Sequence, residues 1–188
     1  MAIRKYEPKD YEQIVNICLD TYDKEEQQTP INQYIKQMFC RYYIEKEPEN
    51  CFVVTDENDV AQGYVYGASD YDTYHSNMTE YLELIAEIRG GMYISDAHIE
   101  MYDHEIYKNE FPAHLHIDIF GEYRSKGYGS KMIEAFCNNL REKGIKGVML
   151  IVGDENTGAQ RFYERNGFKL LHKKKTGYAY GKYLTEEK

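Results

Sequence analysis

The 188-residue sequence contains no tryptophan and only four prolines. Its four cysteines, Cys18, Cys40, Cys51 and Cys137, form no C-x-x-C pair. That spacing argues against a zinc ribbon or a dithiol redox centre and suits buried thiols in a reducing cytosol. Positive charge is in deficit: 23 Lys and Arg against 32 Asp and Glu leave a net charge of -9. Binding a nucleic-acid backbone needs clustered cations, so nucleic acid is not an expected partner. No apolar run approaches the roughly 20 residues of a membrane span. The opening MAIRKYEPKD has no apolar core for export, so the expected setting is cytoplasmic, with no membrane partner.

What is present is 42% hydrophobic content and twenty tyrosines. This suffices for one well-buried core and is short for two, so residues 1–188 read as a single domain. Tyrosine, with an apolar ring and a polar tip, suits half-exposed faces. Residues 3–6 read as a strand, followed by a helix with Asp10 and Gln13 as its capping box and Tyr11, Ile14, Ile17 and Cys18 facing inward, ending near Lys24. Thr29-Pro30 opens a second helix with Ile31, Tyr34, Ile35, Met38, Phe39 and Tyr42 at helical spacing. Residues 51–55 and 60–67 form a hairpin about Asp56-Glu57-Asn58-Asp59. Residues 68–112 are an insertion with helical stretches at 79–89 and 95–108. Residues 168–172 and 178–183 close a last hairpin around 173–177, and residues 185–188 are expected to fray.

The chain is organised around residues 113–168. Residues 114–119 alternate polar and apolar, and a turn built from Gly121, Arg124, Gly127 and Gly129 delivers the chain into an amphipathic helix with Met132, Ile133, Phe136, Cys137 and Leu140 on one face. Gly144 stops that helix. Residues 148–152 are continuously apolar, as in a strand covered on both faces. A second helix opens at Asn156 and ends at Asn166-Gly167. A glycine turn at a helix start is a place for an anion, since the first N–H groups of a helix have no partner of their own. No Gly-Lys-Ser or Gly-Lys-Thr succeeds it, which excludes a Walker loop. Met132 stands where a dinucleotide fingerprint needs its third glycine.

R-x-x-G-x-G (Arg124, Gly127, Gly129) and, downstream, N-x-x-A-x-x-x-Y-x-x-x-G-F (Asn156, Ala159, Tyr163, Gly167, Phe168) resemble the GNAT superfamily of N-acetyltransferases. The opening residues 3–18 resemble its first strand and helix. PAHLHIDI is similar to small bacterial members related to the acetyltransferase-like domain of some O-GlcNAc hydrolases. The resemblance implies an α/β fold: a mixed, mostly antiparallel twisted sheet flanked by helices, with the helical insertion standing before the central strand. It implies acetyl-coenzyme A as acetyl donor, its pyrophosphate held by main-chain N–H groups across Arg124, Ser125, Lys126, Gly127, Tyr128, Gly129 and Ser130. The backbone of Ile117 and Ile119 would pair with the pantetheine amides and polarise the acetyl carbonyl. Asn156 and Ala159 would border the pantetheine arm, and the Tyr163 hydroxyl would meet the departing thiolate.

His114, His116 and Asp118 share one face of their strand. One row on one strand rarely closes a metal shell without ligands from elsewhere, so no metal is expected. His116, with a reference pKa of about 6.5, leads Asp118, at about 3.9, as the base that takes the amine's proton. His98, His104 or a water chain are alternatives. The insertion, with its tyrosines and acidic residues, reads as a wall or lid over a cationic acceptor, or as a dimer surface. The expected function is acetyl transfer to a primary amine of a small molecule or peptide by direct attack in a ternary complex. The alternative is an acyl-coenzyme A sensor without turnover, and a homodimer is left open.

Overall fold

The computed structural model describes residues 1–22, 29–174 and 177–185. Its strands are β1 Ala2–Lys5, β2 Phe52–Thr55, β3 Ala61–Ala68, β4 Ala113–Ile119, β5 Gly147–Val152, β6 Lys169–Lys173 and β7 Tyr178–Tyr183. They form one seven-stranded sheet in the order β1-β2-β3-β4-β5-β7-β6. Among the described residues only β4 and β5 run parallel; the other pairs are antiparallel. The sheet is therefore mixed and mostly antiparallel, as expected.

Alternation along the strands sends side chains to two different cores. On one face Leu115, Val65 and Val54 pack with Met132, Ile133, Phe136, Cys137 and Leu140 of helix α7 (Tyr128–Glu142) and Tyr163 of α8 (Thr157–Arg165). Gly144 ends α7 at φ +75°, and Gly144 N–H and Ile145 N–H bond back to Arg141 O and Leu140 O. On the other face Val53, Tyr64 and Tyr66 pack with α1 (Tyr11–Tyr22), α2 (Pro30–Lys36), α3 (Tyr42–Lys46) and the helices of the insertion.

The N-terminal capping differs from the expected box. Asp10 is buried and accepts from the Glu7 N–H (2.9 Å) and from both terminal nitrogens of Arg4 (2.7 and 2.9 Å). A carboxylate that deep goes to a guanidinium, and the box forms with Glu7 around a 3-10 turn at Pro8–Asp10. The expected end of α1 near Lys24 lies outside the described residues, as do two residues of the last hairpin turn and three of the tail. Thr29 caps α2 as expected, accepting from Asn32 N–H. Between α2 and α3 the chain makes a π turn, Gln37–Arg41, whose extra residue per turn rotates α3 relative to α2. Tyr42 and Tyr43 are consequently both buried.

The insertion holds three helices rather than two: α4 Tyr71–Asn77, α5 Thr79–Glu87 and α6 Ile94–Glu105. Asp70 caps α4, accepting from Thr73 N–H and Oγ1 at 2.9 Å. Tyr71, Tyr74, Met78, Tyr81, Ile85, Ala97 and Met101 are buried in the core it shares with α1, α2 and α3, so the insertion builds that core instead of lying on it. Tyr71, Tyr74 and Tyr81 of the insertion are buried, contrary to the half-exposed role expected of tyrosine, while Tyr102 is exposed. Tyr42 O–H donates to Glu47 (2.8 Å), Tyr81 O–H to Glu45 (2.9 Å) and Tyr66 O–H to Phe39 O (2.7 Å). Buried hydroxyls are tolerated when so satisfied. Glu47, itself buried, also accepts from Asn50 Nδ2 (2.7 Å), Ser69 N–H (2.9 Å) and Ser69 Oγ (2.6 Å), joining the end of α3 to the start of the insertion.

Candidate active site

β3 and β4 stay paired over six positions, from Gly63 opposite Ile119 to Ala68 opposite His114. β4 and β5 pair at only two, Ala113 with Val148 and His114 with Met149. Beyond that point β5 continues with β7 as far as Val152, so the two parallel strands part and leave the β5-facing edge of β4 open from Leu115 onward. Phe120 N–H bonds Gln62 O on the β3 side at 3.0 Å. Successive residues of a strand address opposite edges, so the N–H groups of Ile117 and Ile119 point into the opening. Such backbone groups call for a hydrogen-bonding partner.

At the end of this edge Arg124 turns back, its Nε donating to Ile119 O at 2.7 Å. Ser125 (φ 62°) and Gly127 (φ 82°) then bend the chain into α7. The first backbone bond of the helix runs from Lys131 N–H to Gly127 O, which leaves the N–H groups of Tyr128, Gly129 and Ser130 without an acceptor inside the helix. Among the described residues no atom lies within 4 Å of where a Gly127 Cβ would stand, whereas a Gly129 Cβ would meet the Phe162 ring at 3.0 Å. Gly127 thus keeps the turn open and Gly129 lets α8 approach. Ser125 and Lys126 are exposed.

On α8, Asn156 Oδ1 accepts from Ala159 N–H at 3.1 Å. The oxygen is occupied as the helix cap, and the amide nitrogen is what Asn156 offers to a ligand. Ala159 is half-buried, one turn before Tyr163. Tyr163 is buried beside Phe162, Phe168 and Tyr180. Burial, reinforced by the charge of Asp118, pushes its phenol up, so it stays protonated at neutral pH.

The other face of β4 carries the polar row. The Tyr43 hydroxyl sits between His114 Nε2 (2.9 Å) and His116 Nε2 (3.0 Å), and Tyr64 O–H donates to Asp118 Oδ2 at 2.8 Å. Tyr64 stacks on Tyr66 (4.2 Å) and Tyr66 on Tyr43 (5.1 Å). His104, from α6, stacks on His114 at 4.2 Å. Burial holds His104 down at about 4 and His116 at about 3, and keeps His114 well below its ordinary value. This corrects the reading that gave His116 the advantage as a base. That advantage assumed a value near 6.5, and enclosure by Phe39, Tyr43 and Tyr66 removes it. His98 is exposed on α6.

The sequence matches the acetyltransferase (GNAT) family over residues 11–168. The chain belongs to that family. By family, then, the protein is an acyltransferase. Among solved structures, SsHAT is 28% identical over 98% of both chains, with a TM-score of 0.85. PH1933 from Pyrococcus horikoshii OT3 is 18% identical over 97% of each chain, with a TM-score of 0.65. An agmatine N-acetyltransferase is 15% identical over 97% of this chain and 98% of its own, also at 0.65. The last two share the GNAT fold.

On this GNAT scaffold the structure brings the sequence-derived residues together in two groups. Ile117, Ile119, Tyr128, Ala159 and Tyr163 pack in one cluster beside the open edge of β4, Arg124 ties the turn to Ile119, and Asn156 caps α8. His116 and Asp118 stand on the opposite face of β4, in the aromatic box. Sequence reasoning missed the box itself: Tyr43, Tyr64, Tyr66 and Tyr74 come from three separate elements. The only available signal was the Tyr42-Tyr43 doublet, and its meaning depends on the π turn.

Proposed function

We propose that this GNAT protein moves an acetyl group from acetyl-coenzyme A to a primary amine of a small molecule or peptide, by direct attack with both substrates bound. The observation that carries the reading is the open edge of β4 ending at the unpaired N–H groups of α7. An extended chain with amides fits the first and a pyrophosphate the second. Two proteins of similar fold, PaiA N-acetyltransferase from Thermoplasma acidophilum and the NatC complex with a Gag peptide, were solved with coenzyme A.

In this reading Ser125 to Ser130, with the Ser130 hydroxyl, hold the pyrophosphate. Arg124 keeps the turn against β4. Ile117 N–H and Ile119 N–H take the pantetheine arm and the acetyl oxygen, and the Asn156 amide donates to the arm across the small Ala159. The donor's thioester supplies an activated acetyl carbonyl. Tyr163, held protonated, donates a hydrogen bond to the sulfur as it leaves. With its phenol raised above a thiol's value of about 8.5, full proton transfer is uphill, so the hydrogen bond is its contribution. Asp118 is the group on β4 left to receive the amine's proton, since His116 is neutral with Nε2 engaged. That neutrality also favours the second reading, a sensor that binds acyl-coenzyme A without turnover.

Free-thiol release from acetyl-coenzyme A over a panel of amines tests the proposal, with folded Gly129→Asp as control. We expect release with at least one amine and cofactor binding at least tenfold weaker in the variant, because the aspartate places charge against a pyrophosphate. Binding without release for every amine supports the sensor; unchanged affinity in Gly129→Asp moves the cofactor elsewhere.

A further inference from the structure

We propose that His116 is a fixed hydrogen-bond donor to the acceptor substrate, carrying its hydrogen on Nδ1, and that Tyr43 is the positioning residue that puts it there. The inference rests on the acceptor site proposed above and assigns a role within it.

A hydroxyl holds one hydrogen, so Tyr43, placed between two Nε2 atoms at 2.9 and 3.0 Å, donates to one imidazole and accepts N–H from the other. His114 and His116 are therefore opposite tautomers while both are neutral. His114 decides which is which. It is 1% exposed, and its Nδ1 is buried with no hydrogen-bond partner among the described residues. A hydrogen on that atom would be an orphaned buried N–H, which native structures avoid more strictly than an unfilled lone pair. The neighbouring Tyr74 ring stands edge-on to His114 with centroids 4.5 Å apart, and its hydroxyl is likewise buried without a partner among those residues.

His114 then carries its hydrogen on Nε2 and donates to Tyr43, and Tyr43 donates to His116 Nε2. The hydrogen of His116 is left on Nδ1. Unlike His114, His116 is only half-buried, and its Nδ1 is not one of the buried polar atoms that lack a partner. That nitrogen is the accessible one. Enclosure by Phe39, Tyr43 and Tyr66 keeps the ring neutral, so the tautomer set by Tyr43 persists through the physiological range.

A fixed N–H beside the reacting amine selects acceptors that place a carbonyl or carboxylate oxygen near that amine, such as an α-amino amide or a peptide N-terminus, over plain alkylamines. Nitrogen NMR of 15N-histidine protein reads the tautomers directly, with His114→Gln and His116→Gln used to assign the signals. We expect hydrogen on Nε2 of His114 and on Nδ1 of His116; hydrogen on Nε2 of His116 overturns the proposal. In kinetics, Tyr43→Phe should raise KM for an α-amino amide roughly tenfold, with kcat and the KM for an alkylamine little changed. Equal KM values for both amines in the wild type overturn the selectivity. The NMR arm needs no turnover, so a protein that proves to be a sensor fails the thiol-release assay while leaving the tautomer result standing.

Discussion

The two faces of the sheet are built from different chemistry. The α7–α8 face is largely apolar, with Met132, Ile133, Phe136, Cys137, Leu140, Val148, Leu150 and Phe168, and its buried tyrosines are Tyr163 and Tyr180. The α1–α6 face is aromatic and titratable, with Tyr42, Tyr43, Tyr64, Tyr66, Tyr74 and Tyr81 buried around His104 and His114. The first kind of core tolerates changes of shape at modest cost. In the second the polar tips take particular partners, so the core specifies one arrangement. The contrast matches the division of labour proposed here, in which a common donor is held by backbone and an acceptor is chosen by side chains.

The largest effect is expected from deleting residues 70–109 behind a short linker. This removes Tyr71, Tyr74, Met78, Tyr81, Ile85, Ala97 and Met101 from the aromatic core, and burial of several large side chains at about 1.5–3 kcal/mol each exceeds the stability of an ordinary domain. Loss of the cooperative melt is the expected result. A folded protein with a normal melt would show the aromatic face to be as separable as the lid reading of the sequence supposed.

Acid should separate the faces next. His104 and His116 titrate near 4 and 3 when folded and near 6.5 when unfolded, with His114 also lowered. The unfolded chain binds more protons in this window, so stability is complete above pH 6.5 and falls towards pH 4. Glu100, raised to about 7 by burial and by Asp103 and Asp96, acts in the opposite direction between pH 4.5 and 7. One carboxyl offsets one imidazole, and the histidines prevail. His104 alone contributes about 3 kcal/mol. Urea midpoints at pH 7.5 and pH 5 measure the loss, and His104→Phe should flatten the profile. An unchanged midpoint would mean that the imidazoles are hydrated.

The smallest change is on the aliphatic side: Tyr163→Phe removes one oxygen. We expect kcat to fall about tenfold to several hundredfold with cofactor affinity nearly unchanged, a hydrogen bond to a departing thiolate being made late in the reaction. Stopped-flow thiol release with calorimetry separates the two quantities. Equal loss of affinity would make Tyr163 a packing residue like its neighbour Phe168.

The sequence was legible where backbone chemistry repeats a short pattern. Gly127, Gly129, Asn156 and Gly144 announced their turns and caps because positive φ, close approach and side-chain capping each admit few residue types. The α7–α8 unit could be read from them, and the mixed sheet was implied by the family resemblance they carry. The aromatic face was not legible, because its partners are distant in sequence and a π turn leaves no periodicity to detect. Tyr43 lies 71 residues from His114 and 73 from His116, and Tyr64 lies 54 from Asp118. Helix α4 was also missed, its seven residues being too short for an apolar period to emerge. The enclosure of His116 was not legible either, because a reference pKa carries no information about what surrounds the ring.

The shared carboxylate of Glu47 bears on how acceptor preference could be exchanged between relatives. It ties Tyr42 and Asn50 to Ser69, so a graft of residues 68–112 alone would install a foreign segment on a donor set shaped for the native one. Such a graft severs the joint and leaves a buried carboxyl short of its donors. The transplantable cassette is larger: residues 29–50 together with 68–112, two stretches that are separate in the gene and inseparable in the protein.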